Sequence, residues 1–143
     1  MTILKNAGQA VLGSILMFAG ITHLTVARQE FQAQVPDWFP LDADFVVIAS
    51  GIVEVTLGLA LLTIWKQPAR GVLGAIVATF FVVIFPGNIA QWLEHKDGFG
   101  LDTDTKRFVR LFFQPLLVWW ALGVTSAIST IRSIRAARTS ATR

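Results

Sequence analysis

The sequence predicts an all-α, polytopic membrane protein: a four-transmembrane-helix bundle with both termini on the cytoplasmic side. Three observations carry that expectation. Hydrophobic residues make up 54% of the 143-residue chain and the mean hydropathy is +0.61, more apolar surface than a soluble core of this size needs. Charged residues make up 15%, against roughly 25% in soluble domains. They also gather between apolar stretches instead of lining one face of each helix.

A spanning helix needs ~20 predominantly apolar residues at 1.5 Å rise, and four windows qualify: Ala7–Ala27, Val46–Trp65, Val72–Trp92 and Leu111–Ile131. The first follows Lys5 like a signal peptide, but its apolar run exceeds the usual 7–15-residue core, so it reads as a span. The first connection, Arg28 to Phe45, has Trp38 and Phe39 between Pro36 and Pro40, which suits an interfacial loop with aromatics at headgroup level. Pro68 and Gly71 punctuate a tight turn before the third span. Pro86 removes a backbone donor and clashes with the Val82 carbonyl, so a kink or break is expected there, and Pro115 acts similarly near the start of the fourth span. The third connection, Leu93 to Arg110, is mixed in charge; residues 132–143 form a basic tail.

Orientation follows from the basic residues. Lys5, Lys66, Arg70, Arg132, Arg135, Arg138 and Arg143 fall on one side of the four-span arrangement, and Arg28, Lys96, Lys106, Arg107 and Arg110 on the other. The positive-inside rule makes the first side cytoplasmic. The same placement explains the pI near 10.0 without nucleic acid, because these residues form no basic run interleaved with aromatics on a soluble helix. The absence of cysteine excludes a disulfide framework, a thiolate nucleophile and a cysteine-ligated metal in this chain. No P-loop, nucleophile elbow or HExxH pattern occurs.

Candidate functional residues are the polar groups within the spans. Glu54 is the one formally charged residue inside a window, ~12 Å from the outer boundary at Val46. Intramembrane ionisable groups generally face the bundle interior and find partners. Glu54 is therefore either hydrogen-bonded structural glue or part of a ligand, proton or quinone site. His23 lies ~6 Å below the outer end of the first span, level with Asn88 and Gln91 in the third and Gln114 in the fourth. Ser50 and Glu54 share a face at i,i+4, and Arg107, Arg110 and Gln114 share one if the fourth helix starts early. Polar groups from all four helices can thus converge in the outer half. Arg110 either snorkels or serves as counter-ion to Glu54 or to an anionic ligand. His23 with His95 makes a poor metal or haem pair, since His95 sits in a polar loop between Glu94 and Lys96. Gly13 with Gly20, and Gly51 with Gly58, are each seven apart and mark faces for close helix approach.

At these residues the chain resembles the DoxX family of small four-helix membrane proteins. The matching blocks are Ala19-Gly-Ile-Thr-His23, Val35-Pro-Asp-Trp-Phe-Pro40, Ser50-Gly-Ile-Val-Glu54 with Leu57-Gly58, Phe85-Pro-Gly-Asn-Ile89, and Arg110 with Gln114-Pro115 and Trp119-Trp120-Ala121. The resemblance implies a multi-pass protein of the bacterial cytoplasmic membrane, with His23, Glu54, Asn88, Arg110 and Gln114 as the family's recurring polar set. It also implies a membrane subunit of a redox or oxidative-stress system, with a quinone as the candidate cofactor and membrane or peripheral redox proteins as partners. A non-catalytic scaffold or assembly chaperone is the alternative. A small-solute transporter is a further one, and with four spans it would require a homo-oligomer.

Overall fold

The computed structural model describes residues 2–142, all of its elements being helical. In chain order these are α1 (Thr2–Leu24), α2 (Arg28–Gln32), α3 (Ala43–Thr63), α4 (Ala69–Leu93), α5 (Asp104–Leu111), α6 (Phe113–Thr125) and α7 (Ala127–Ala141). Four segments are long and apolar enough to cross a membrane: α1, α3, α4, and the composite of α5 and α6 over Asp104–Thr125. They alternate in direction. The α1–α3 and α4–α5 connections therefore share one end of the bundle, and the α3–α4 turn shares the other with the N-terminus and α7.

The fourth span is displaced from its apolar window. It starts at Asp104 instead of Leu111, because Thr103 accepts a hydrogen bond from the Lys106 amide at 3.2 Å and caps a polar first turn. It ends at Thr125 instead of Ile131, because Ser126 turns left-handed (φ 57°, ψ 36°). The residues beyond form α7, so most of the expected tail is helical, with Arg143 outside the described residues. Pro115 lacks the N–H that would reach the Leu111 carbonyl, and the ladder is interrupted at Phe112 between α5 and α6. Pro86 produces no break: α4 runs through it from Ala69 to Leu93.

Glycine decides how the helices pair. A Cβ on Gly20 would lie 2.7 Å from both the Gly51 carbonyl oxygen and the Val55 amide nitrogen, and one on Gly58 would lie 2.7 Å from the Met17 amide nitrogen. The two seven-residue glycine pairs thus face each other across α1 and α3, whose backbones approach as closely as small-residue interfaces allow. On the other side, Gly74 packs against Thr125 and Gly71 against Thr130, joining α4 to α6 and α7. Leu12, Leu16, Leu57, Leu61, Leu73, Val77, Ala78, Phe81 and Ala121 fill the space between the two pairs. Gln9, fully buried, donates to the Leu61 and Ile64 carbonyls at 2.8 and 2.9 Å and so satisfies acceptors that the end of α3 leaves open.

Candidate functional site

Toward the end bearing the long connections, the two helix pairs enclose a cavity of about 730 Å³. Ligand pockets typically run ~300–1,000 Å³, with apolar walls and a few placed polar groups. The walls here are Leu16, Val47, Phe81, Ile84 and Leu117; the polar lining is His23, Ser50, Glu54, Asn88, Arg110 and Gln114. Every span contributes at least one of these polar side chains. Five of the six sequence candidates therefore meet in one space. Gln91 does not line it: although buried, its amide donates to the Lys96 carbonyl at 3.3 Å, so it supports the following loop instead.

His23 and Glu54 are adjacent because Gly20 and Gly51 bring their helices together one turn away. His23 Nδ1 lies 3.0 Å from Glu54 Oε2 and 2.8 Å from the Ala19 carbonyl, but only the latter contact has hydrogen-bond alignment. The N–H therefore belongs to Ala19, and Glu54 Oε2, on a residue only 6% exposed, has no hydrogen-bond partner. Arg110 does not relieve it. Its one side-chain bond is a long one to Gln114 Oε1, 3.5 Å, and it forms no ion pair among the described residues.

A relay of amides orients the opposite wall. Pro86 strips the Val82 carbonyl of its donor, and the neighbouring Phe81 carbonyl accepts from Gln114 Nε2 at 2.7 Å. That bond turns Gln114 Oε1 toward α4, where Asn88 Nδ2 donates to it at 3.4 Å. Asn88, 3% exposed, must then present Oδ1 elsewhere, and this oxygen also lacks a partner. Buried polar groups are nearly always satisfied. Both oxygens are themselves almost wholly closed to water, so the cavity meets Glu54 and Asn88 through the rest of their side chains, and these with Arg110 and Gln114 set a polar patch in otherwise apolar walls.

The first connection forms the roof. Its residues Arg28–Gln32 make the short helix α2, from which Phe31 stacks on the His23 ring at 3.2 Å between centroids and an 18° interplanar angle. Phe31 also meets Phe99 edge-on at 4.5 Å. Gln34, Val35, Pro36, Trp38 and Phe39 continue the lining, and Gly87 lets α4 approach the Gln34 carbonyl more closely than a side chain would permit. Lys96, beyond α4, latches the roof: it pairs with Asp37 at 2.7 Å and Glu94 at 2.8 Å and donates to the Val35 carbonyl at 2.8 Å. Partial burial works against its charge, but the hydrogen bonds it donates to Asp37 and Glu94 outweigh that and hold the ammonium above the ordinary lysine value. A second strap joins the Phe99 amide to Glu30 at 3.0 Å. His95 lies apart from His23, on the surface, 2.7 Å from Asp104. Phe31 and the Lys96 latch were not singled out from sequence. The available signal was one aromatic in an otherwise polar five-residue stretch.

The cavity opens on the flank of the bundle, where its lining residues Val83 and Trp38 are 67% and 70% exposed and Ile15 is also exposed.

Fold and site together define a multi-pass helical membrane protein with a polar, roofed cavity between two helix pairs. Residues 12–125, 114 of the 143, match the family model described as "Domain of unknown function (DUF8561)", and the chain belongs to that family. Comparison with curated proteins and with solved structures finds no match to either.

Proposed function

We propose that this protein is a membrane subunit of a redox or oxidative-stress system that holds a lipid-soluble molecule of the quinone class in the cavity between its helix pairs. The observation that carries the reading is a largely apolar cavity between the helix pairs whose few polar side chains, His23, Glu54, Asn88, Arg110 and Gln114, come from all four spans. A quinol enters from the acyl-chain region, lays its ring against the apolar walls, donates a hydroxyl proton as a hydrogen bond to the Glu54 carboxyl, and meets Arg110 with its own oxygens. Glu54 is the proton-exchanging group, and His23, fixed by Ala19 and Phe31, orders its neighbourhood. The DoxX resemblance of the same residues supports this reading. One observation favours the scaffold alternative: His23 is already satisfied and stacked, as a packing residue would be.

The orientation belongs to the same proposal. Six of the seven basic residues assigned inside lie in the described chain, at the end with no acidic residue, whereas Arg28, Lys96, Lys106 and Arg107 at the cavity end are ion-paired. The positive-inside rule then places both termini in the cytoplasm and the cavity in the outer half of a bacterial cytoplasmic membrane.

The test is binding of a short-tailed benzoquinol to protein in lipid nanodiscs, comparing wild type with Glu54→Gln. A hydrogen bond to a charged group contributes ~1.5–3 kcal/mol, so Gln should weaken quinol binding by roughly 10- to 100-fold while leaving thermal stability unchanged. Equal binding by both proteins would reject the site and favour the scaffold.

A further inference from the structure

The opposite end of the molecule carries a second recess, away from the roofed cavity. A groove of about 540 Å³ runs between the start of α1 and the α6–α7 junction, lined by Lys5, Ser126, Ser129 and Arg132 with the apolar Leu122, Gly123 and Ile128. We propose that this groove binds an acidic phospholipid, its phosphodiester on Lys5 and Arg132 and an acyl chain along the surface beside Gly123.

Charge complementarity identifies the headgroup. Lys5 Nζ uses one proton on Ser126 Oγ at 2.8 Å, which leaves two, and neither Lys5 nor Arg132 has a carboxylate partner among the described residues. No acidic residue lies at this end, while Lys66, Arg135 and Arg138 add positive charge. Ser129 and Ser133 spend their hydroxyl protons on the Ser126 and Ser129 carbonyls, so the two cations and the Ser126 hydroxyl supply the donors. Basic residues bordering a span attract anionic lipid with ~1 kcal/mol each.

Shape identifies the lipid. Gly123 is a mid-chain helical glycine whose Cβ would meet nothing within 4 Å, unlike the glycines that seat α1 on α3. Helix packing does not require it, and the space it leaves is the apolar floor of the groove. One turn away on the same face stands Trp119, 74% exposed, in the style of aromatics that sit beside lipid headgroups. A free phosphate would use the cations but not this floor.

The experiment is native mass spectrometry of protein released from nanodiscs of mixed phosphatidylglycerol and phosphatidylcholine. Wild type should retain phosphatidylglycerol preferentially. The double substitution Lys5→Gln with Arg132→Gln should lower that retention about 30-fold, two basic residues at about 1 kcal/mol each. Gly123→Leu should abolish it without loss of thermal stability, since the new side chain enters open space. Arg138→Gln, outside the groove, should retain the lipid, as should the charge-conserving Lys5→Arg with Arg132→Lys. Equal retention of both lipids by wild type, equal loss in Arg138→Gln, or undiminished retention in Gly123→Leu would overturn the proposal. Displacement of the lipid by inorganic phosphate would reassign the groove to a free anion and overturn the lipid as occupant.

Discussion

Replacing Glu54 with leucine should make the bundle more stable. Removal of a buried carboxyl costs stability when the group is hydrogen-bonded, and here Oε2 has no aligned donor, since His23 Nδ1, although 3.0 Å away, directs its N–H at the Ala19 carbonyl. An unsatisfied buried polar atom costs ~1–3 kcal/mol, and leucine relieves that cost whether the carboxyl is ionised or protonated. Leucine fills most of the same volume, so no cavity term offsets the gain. Nothing is orphaned by the change, since the His23 ring keeps its carbonyl and its Phe31 stack. Counting one oxygen only, the expected gain is about 1–2 kcal/mol. Reversible unfolding in mixed micelles, followed by tryptophan fluorescence, measures it, and the same variant should have lost quinol binding, the usual exchange of function for stability. Destabilisation by about 1 kcal/mol or more would show that Glu54 makes a net favourable contact in the folded bundle.

Other perturbations test the frame around the site. Gly20→Val places a side chain against the Gly51 and Val55 backbone, 2.7 Å from a Cβ at this position, and overpacking of this kind costs ~1–3 kcal/mol; unfolding of the full chain should show it, and a neutral result would mean that α1 and α3 are not in close contact. The Lys96 latch should fail in alkali: its folded value is raised, so the stabilisation is fully present below the unfolded lysine value, ~10.4, and is lost as the pH rises through the higher folded value. Lys96→Gln should show faster hydrogen exchange across residues 28–42 than wild type at neutral pH, and the difference between the two proteins at matched pH should vanish in that alkaline range. Single cysteines at Ser140 and Thr103 should label from opposite sides of the membrane, the first from the cytoplasm; labelling of both from one side would remove the four-span arrangement.

The apolar periods and the small-residue pairs made the bundle readable from the chain alone, because lipid leaves few other ways to satisfy a spanning backbone. Gly13, Gly20, Gly51 and Gly58 could be placed on two faces from their spacing, and those faces meet. The limits of the fourth span were hidden, since Thr103 caps a turn too polar for a hydropathy window and Ser126 ends the helix through a backbone angle that its residue type does not announce. At the site, depth along each helix brought His23, Asn88, Gln91 and Gln114 to one level, with Glu54 deeper and Arg110 joined to Gln114 by helical spacing, but depth carries no information about azimuth. Gln91, one turn from Asn88, consequently belongs to the loop support instead of the cavity. The roof escaped because its contacts, from Phe31 to His23 and from Lys96 to Asp37, join residues whose neighbours in sequence give no period.

The two ends of the bundle are held together by different means. At the basic end, Arg70 donates to Asn6 on α1 and to the Val124 carbonyl of α6, both at 2.8 Å, and Trp120 donates to the Gly8 carbonyl at 3.1 Å. These bonds cross directly between spans, and the Arg70 head is buried among them. At the cavity end, the polar links that cross from one pair to the other run through the roof, from Lys96 to Asp37 and Val35 and from Phe99 to Glu30. Exposed or half-exposed ion pairs of this kind are each worth ~1 kcal/mol or less, whereas buried bonds between charged groups and carbonyls are stronger. Separation of the helix pairs therefore costs least at the cavity end. The polar lining is divided between those pairs, His23 and Glu54 on one and Asn88, Arg110 and Gln114 on the other, so the seam that yields most easily runs through the polar lining of the cavity.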